Sequence, residues 1–270
     1  MSQLAGMRAL VTGASSGIGA AIAKDLARRG ADLVITARRR APLDALASEL
    51  AGAWKVKVDV VVGDLGRAGA AADVWAAAGD VGILVNNAGF GYFRPFADAE
   101  LARDAELLQL NIVSLVELSR RFVEARRGAA ARSYLLNIAS IAAYQAVPQM
   151  AVYAASKAFV RDFTEALHGE LRGTPITATC VCPGGTHTEF HANAGAGDYG
   201  WLANASMLSA EAVASASVRA MLAGRRNLVP GVLNKLSCFG VRFVPRALAS
   251  FLAGRLMGKP KLALPPRASS

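Results

Sequence analysis

The sequence predicts an α/β fold, a doubly wound parallel sheet flanked by helices on both faces, and three observations carry that expectation. Short apolar runs alternate with longer amphipathic stretches along most of the chain. The runs lack inside–outside alternation, as strands buried on both faces require. A glycine-rich turn joins the first run to the first amphipathic stretch, and sheets of this kind bind their ligands beyond the carboxyl ends of their strands. A chain of 270 residues without an evident linker fits a single domain of this type.

Each element follows in order. Met7–Thr12 reads as the first strand, and Gly17–Arg29 as a helix with Ile18, Ile22 and Leu26 on one stripe. Asp32–Thr36 is the second strand, Pro42–Leu50 a helix and Lys57–Val62 the third strand. Ala68–Ala78 reads as a helix, Ile83–Asn86 as a strand, and Asp98–Arg127 as one long helical region. Ser133–Ala139 is a strand, Val152–Arg172 a helix, Ile176–Cys182 a strand and Leu228–Val229 a brief last one. There is no internal repeat and no boundary before about residue 240. Residues 1–240 are therefore expected to form one catalytic domain, and 241–270 a basic, amphipathic C-terminal extension.

Hydrophobic residues are 53% of the chain and charged residues 19%, below the usual ~25%, which excludes a disordered protein. No apolar run approaches the ~20 residues of a membrane span, and Met1–Arg8 lacks the apolar stretch of a secretory signal. Cys180, Cys182 and Cys238 do not make a disulfide framework, so a reducing, cytoplasmic setting is expected. The net charge of +10 is not spread along the chain. Glu211 is the last acidic residue, and the ten Lys and Arg beyond it account for the whole excess. A neutral body with a basic tail speaks against nucleic acid and for a local anionic contact.

Two motifs carry chemistry. The first βα turn reads Thr12-Gly13-Ala14-Ser15-Ser16-Gly17-Ile18-Gly19. Gly13 permits the tight turn, and Gly17 and Gly19 let backbone approach a pyrophosphate at a helix N-terminus, where N–H groups and the helix dipole favour negative charge. The second motif is Tyr153-Ala-Ala-Ser-Lys157. On a helix, Tyr153 and Lys157 lie one turn apart on one face, and an ammonium there favours the phenolate, which suits proton exchange with a substrate oxygen.

Together with their neighbours these motifs resemble the short-chain dehydrogenase/reductase family over roughly residues 6–235. Thr12–Gly19, including Ser15, Ser16 and Ile18, resembles its T-G-x-x-x-G-x-G turn. Asp64-Leu65 sits where the family places an acid near the adenine. Asn86-Asn87-Ala88-Gly89 matches its N-N-A-G segment, and Asn111 falls in the following helical region. Ser140 precedes Tyr153 by 13 residues, and Pro183-Gly184 with Thr186 and Thr188 completes P-G-x-x-x-T. The resemblance implies a single-domain Rossmann-like fold and a nicotinamide cofactor. It also implies Tyr153 as general acid/base, Ser140 as the hydroxyl orienting the substrate carbonyl and Lys157 as ligand of the nicotinamide ribose. Asn111 would hold a relay water. It further implies a homodimer or homotetramer.

Cofactor preference is read after the second strand. Thr36-Ala37-Arg38-Arg39-Arg40 has no acid to accept from a ribose 2′-hydroxyl, while arginine suits a 2′-phosphate, so NADP(H) is expected over NAD(H). The position before the second glycine is Ser16, where many NADP-preferring relatives are basic. Tyr92, Phe93, Phe96, Tyr144 and the aromatic segment Thr186–Met207 favour a hydrophobic ketone, aldehyde or 3-oxoacyl substrate, or the reverse alcohol oxidation. His187 and His191 lack partners for a zinc site, so no metal is expected. Cys180 and Cys182 read as core. The competing class is a nucleotide-sensing or scaffolding protein that keeps the fold without the chemistry; the intact Tyr153 and Lys157 speak against it. In the tail, a helix is expected from Pro245 to about Gly258, with Leu248, Phe251, Leu252 and Leu256 on one stripe and Arg246, Arg255, Lys259 and Lys261 around it. Such a helix suits an anionic membrane surface, an acidic carrier holding an acyl group, or packing on its own domain.

Overall fold

The computed structural model describes residues 3–186 and 207–256. Its elements run β1 (Arg8–Thr12), α1 (Gly17–Arg28), β2 (Asp32–Ala37), α2 (Arg40–Trp54), β3 (Val58–Val62), α3 (Ala70–Ala78) and β4 (Ile83–Asn86). Then come α4 (Leu101–Leu108), α5 (Ser114–Arg126), β5 (Ser133–Ile138), α6 (Ala151–Glu170) and β6 (Ile176–Val181). The described chain closes with α7 (Ala210–Leu222), β7 (Asn227–Leu228), α8 (Val232–Gly240) and α9 (Arg246–Leu256). The strands form one parallel sheet in the order β3-β2-β1-β4-β5-β6-β7. The chain reverses its direction of winding between β1 and β4, which opens a crevice at their carboxyl ends.

The inner strands lack alternation because both their faces are buried, and their side chains divide between two apolar layers. Ala9 and Val11 of β1, Leu33 and Ile35 of β2, and Ile83 and Val85 of β4 join one layer with α1, α2 and α7. The intervening Leu10, Val34 and Leu84 join the other, with α3 and α5, where Leu118 and fully buried Phe122 sit. Burial of each such side chain contributes about 1.5–3 kcal/mol, so the two layers fix both the register and the placement of the strand ends.

Three details differ from the sequence expectation, and some expected residues fall outside the described part. The region Asp98–Arg127 is not one helix: a 3₁₀ turn at Phe96–Asp98, α4, a π-helical turn at Gln109–Val113 and α5 succeed one another. Helix α2 extends beyond Pro42–Leu50 at both ends. Proline is tolerated in a first turn, and the helix passes through Gly52 to stop at Lys55, whose φ is 54°. Helix α8 was not expected from the sequence. Finally, Thr188, the histidines at 187 and 191, Leu256's side chain and the lysines at 259 and 261 lie outside what is described.

Candidate active site

The glycine-rich turn is held from below by the segment after β4. The Thr12 hydroxyl accepts from the Asn87 and Ala88 amides at 3.0 Å each and donates to the Val85 carbonyl. Asn87 Nδ2 donates to the carbonyls of Thr12 and Gly13 at 2.9 and 3.2 Å. A Cβ on Gly13, which has φ +66°, would fall 2.8 Å from Ala88 Cα, and one on Gly19 only 2.3 Å from the Gly13 carbonyl oxygen. These glycines are therefore dictated by packing. Asn87 and Ala88 act here as the scaffold of the turn.

Helix α1 then starts at Gly17 with Ser16 before it. The Ser16 side chain makes no capping bond, and there is no acid in the first turn. Its leading N–H groups face the switch-point crevice, where an anionic group is favoured. The cradle thus fits the pyrophosphate of a dinucleotide. Ser15, Gly17 and Ile18 lie on this turn and α1's start. At the rim, exposed Arg38 sits 3.4 Å from Glu106, which also binds Arg103 at 2.6 Å. Arg39 precedes α2. Asp64 Oδ1 accepts from the Gly66 amide at 3.0 Å, and Leu65 is buried with its carbonyl taking the Ser114 hydroxyl.

The second half of the site is built on α6. Lys157 is buried, and its Nζ donates to the Ile138 carbonyl at 2.9 Å, tying α6 to the end of β5. The same Nζ lies 5.9 Å from the centroid of the Tyr153 ring one turn back. Ser140 follows β5; its Oγ accepts from the Ala142 amide at 3.1 Å and keeps its own proton for donation. The Ile141 amide donates to the Pro183 carbonyl at 2.9 Å, which sets Pro183-Gly184 beside Ser140. Thr186 Oγ1 donates to the Gly184 carbonyl at 3.2 Å.

Asn111 stands in the middle of the π-helical turn. Its Nδ2 donates to the Phe90 carbonyl and the Ser156 hydroxyl, each at 3.0 Å, and its Oδ1 accepts from the Phe90 amide at 3.2 Å. Both donors are used, and one acceptor position of Oδ1 remains. Gly89 explains how this group meets Lys157. A Cβ there would lie 2.9 Å from Asn111 Oδ1 and 3.3 Å from Lys157 Nζ, so only glycine leaves the two groups a common space.

Sequence reasoning missed Gly91, Gln149 and the polar thread under the sheet. A Cβ on Gly91 would sit 2.5 Å from Cδ2 of Tyr153, so the tyrosine ring lies flat on bare backbone. Gln149 has φ +67° and a buried, unpartnered Oε1; it lines a pocket with Tyr92, Met150, Val152 and Tyr153. A non-glycine residue in that conformation stores strain of order 1–3 kcal/mol and is a signal visible only in the fold. Asn86 binds Ser119 and Asn137, and Asn137 binds Thr164, cross-linking β4, β5, α5 and α6 under the site.

Of the expected aromatic walls, Tyr92 and Phe96 line the pocket, and Phe93 packs with the Tyr153 cluster. The Tyr92 hydroxyl donates to Asp104, and burial with that carboxylate pushes it up to about 12. Tyr144 lies elsewhere, its hydroxyl donating to Asn227 at 3.2 Å and its ring beneath Arg161. No cluster of metal-ligating side chains occurs among the described residues.

Burial pushes the Lys157 ammonium down from its ordinary 10.5 to about 8. The folded chain therefore holds this proton less tightly than the unfolded chain. The penalty is full below pH ~8, and stability is regained as pH rises toward ~10.5. Lys157→Met is expected to be more stable than the parent by about 1–2 kcal/mol at pH 7, after the lost Ile138 bond is subtracted, with the gap closing toward pH 10. Urea unfolding at both pH values checks this; a variant less stable than the parent at pH 7 contradicts it.

A doubly wound sheet with a pyrophosphate cradle at its switch point, and a buried lysine one turn from a tyrosine beside it, defines a dinucleotide-binding oxidoreductase. The chain belongs to the short-chain dehydrogenase/reductase family, whose model, described as short chain dehydrogenase, matches residues 7–198. It is 35% identical over 190 residues to the very-long-chain 3-oxoacyl-CoA reductase of Anas platyrhynchos, a match covering 66% of this chain and 59% of that one. It is 37% identical over 186 residues to sulfoacetaldehyde reductase 2 of Chromohalobacter salexigens, covering 67% and 73%. Among solved structures, a short-chain dehydrogenase from Sphingobium yanoikuyae in complex with NADPH superposes with a TM-score of 0.76 at 30% identity, covering 88% of this chain and 94% of that one.

Proposed function

We propose that the protein is an NADPH-dependent reductase of a hydrophobic ketone, aldehyde or 3-oxoacyl group, or runs the reverse alcohol oxidation. The observation that carries this reading is the buried Lys157 one turn from Tyr153, beside the common space at Gly89. A bound nicotinamide supplies the hydride. The Tyr153 hydroxyl donates its proton to the carbonyl oxygen, so that the carbonyl becomes an alcohol and the tyrosine a phenolate. Ser140 donates a hydrogen bond to the same oxygen and orients it. Lys157 stabilises the phenolate and binds the ribose, and the remaining acceptor position of Asn111 holds the water through which the proton returns.

Gly13, Ser15, Ser16, Gly17, Ile18 and Gly19 would cradle the pyrophosphate, Asp64 and Leu65 would border the adenine, and Gly89, Pro183, Gly184, Thr186 and Thr188 would border the nicotinamide half. NADP(H) over NAD(H) is supported by Arg38 and Arg39 after β2; the solved neighbours include complexes with NADPH and with NAD. The apolar side chains packed around Tyr153, among them Tyr92, Phe93, Met150 and Val152, support a hydrophobic substrate. The catalytic unit is assigned to residues 1–240, and a homodimer or homotetramer in the cytoplasm remains the working assembly. No described helix is long and apolar enough to cross a membrane.

The test is a panel of ketones, aldehydes and 3-oxoacyl thioesters of graded size, followed by nicotinamide absorbance with NADPH and NADH. Carbonyl-dependent NADPH oxidation that rises with apolar size is expected. Cofactor binding without turnover across carbonyl and alcohol panels would instead leave a nucleotide-sensing protein.

A further inference from the structure

Helices α8 and α9 are amphipathic in the wrong direction for a free surface. On α8 the side turned to the protein carries Asn234 and Cys238, both buried, while Val232, Leu233, Leu236 and Phe239 point to solvent. A 3₁₀ turn at Val241–Phe243 continues this outer face to Phe243, whose ring meets the Phe239 ring edge-on at 5.2 Å. On α9 the buried residues are Ala249 and Ala253, and the outward ones Leu248, Phe251 and Leu252. These outward side chains are 45–75% exposed, and they are eight of the fifteen large apolar side chains exposed among the described residues. Such concentration within 21 residues is not the single scatter of an ordinary surface.

The charge on this face has one sign. Lys235, Arg242, Arg246 and Arg255 are exposed among the apolar residues, Arg255 lies over the Phe251 ring at 5.1 Å, and no acidic side chain follows Glu211. A second copy placed here by two-fold symmetry would bring two like-charged patches together, with no carboxylate on either helix to offset them. We propose that the outer faces of α8 and α9 dock on an anionic lipid bilayer. Phe and Leu enter the headgroup boundary, and the four cations meet the lipid phosphates and carboxylates.

The docking unit is anchored at the active site. A Cβ on Gly184 would lie 2.5 Å from the Asn234 amide of α8, and one on Gly254 of α9 would lie 3.2 Å from Pro148, beside the pocket residue Gln149. Docking therefore brings the pocket close to the bilayer, whichever substrate it takes. The proposal does not rest on the reductase reading.

The test is flotation of the full chain with phosphatidylcholine vesicles, with and without phosphatidylserine, at low and physiological salt. Binding is expected to the anionic vesicles only and to weaken with salt. Arg242→Glu and Arg246→Glu should each lower the partition coefficient about fivefold or more. Phe239→Ser with Phe251→Ser should abolish binding while the circular dichroism spectrum and the thermal transition persist, since both side chains are more than half exposed. Failure of the unmodified chain to float at low salt overturns the proposal, as does equal binding to neutral vesicles. Concentration-dependent pairing of the parent that the double Phe variant loses in sedimentation velocity also overturns it, and assigns the face to a second copy. Capture by an acidic carrier protein without vesicle binding overturns it as well.

Discussion

The Tyr153→Phe variant is expected to lose turnover by at least ~10²- to 10⁴-fold while still binding NADPH, because general acid–base catalysis of that size resides in one hydroxyl. The ring itself should stay in place. It rests on the bare backbone of Gly91, its helix is pinned by the Lys157 bond to Ile138, and phenylalanine keeps the same face against Gly91. Loss of the hydroxyl thus separates proton transfer from folding and from cofactor binding. Single-turnover absorbance with saturating NADPH checks the first, and fluorescence titration of NADPH the second. Turnover within a factor of a few of the parent would remove Tyr153 from the chemistry.

Removal of Arg38 is expected to weaken NADPH by roughly ten- to a hundred-fold and NADH by little, since a charge-assisted bond to phosphate is worth about 1.5–3 kcal/mol. Arg38 is partnered by Glu106 at 3.4 Å, but both groups are partly exposed, so that pair contributes at most about 1 kcal/mol. A dianionic 2′-phosphate competes with Glu106 easily. Combining Arg38→Ala with Ala37→Asp should carry preference over to NAD, through a carboxylate that accepts from the ribose and repels the phosphate. Calorimetry with both cofactors decides it; equal affinities in the unmodified protein would refute the preference.

The architecture was legible because burial of both sheet faces leaves its mark on the inner strands, and all seven strands in the structure lie within a residue or so of their expected positions. Helix limits were less legible. Pro42 and Gly52 look like punctuation, yet proline fits a first turn and nothing crowds Gly52, while the real stop is a left-handed lysine. Helix α8 escaped notice because its pattern is inverted: Asn234 and Cys238 mark its buried side, so periodicity alone misreads which face is inside. In the site, the motif residues were found by type and order, but their packing roles were not. Gly89 and Gly91 matter through what a methyl group would strike, and Gln149 through a backbone angle. No composition or spacing carries those three-dimensional facts.

The π-helical turn between α4 and α5 has a consequence for how this site is kept. A single i→i+5 turn takes up one residue more than an α-turn, so the helix on either side holds the phase of an uninterrupted helix one residue shorter. Leu107 before it faces the Tyr153 cluster, and Leu118 and Phe122 after it face the sheet, as they would without the insertion. The surplus residue is absorbed locally, where it lets Asn111 turn its amide to both backbone groups of Phe90. The core keeps its phase across this turn, and what the turn positions is the Asn111 amide. Deleting one residue within Gln109–Val113 should therefore leave Leu107, Leu118 and Phe122 in their layers while moving the Asn111 amide off the Phe90 backbone.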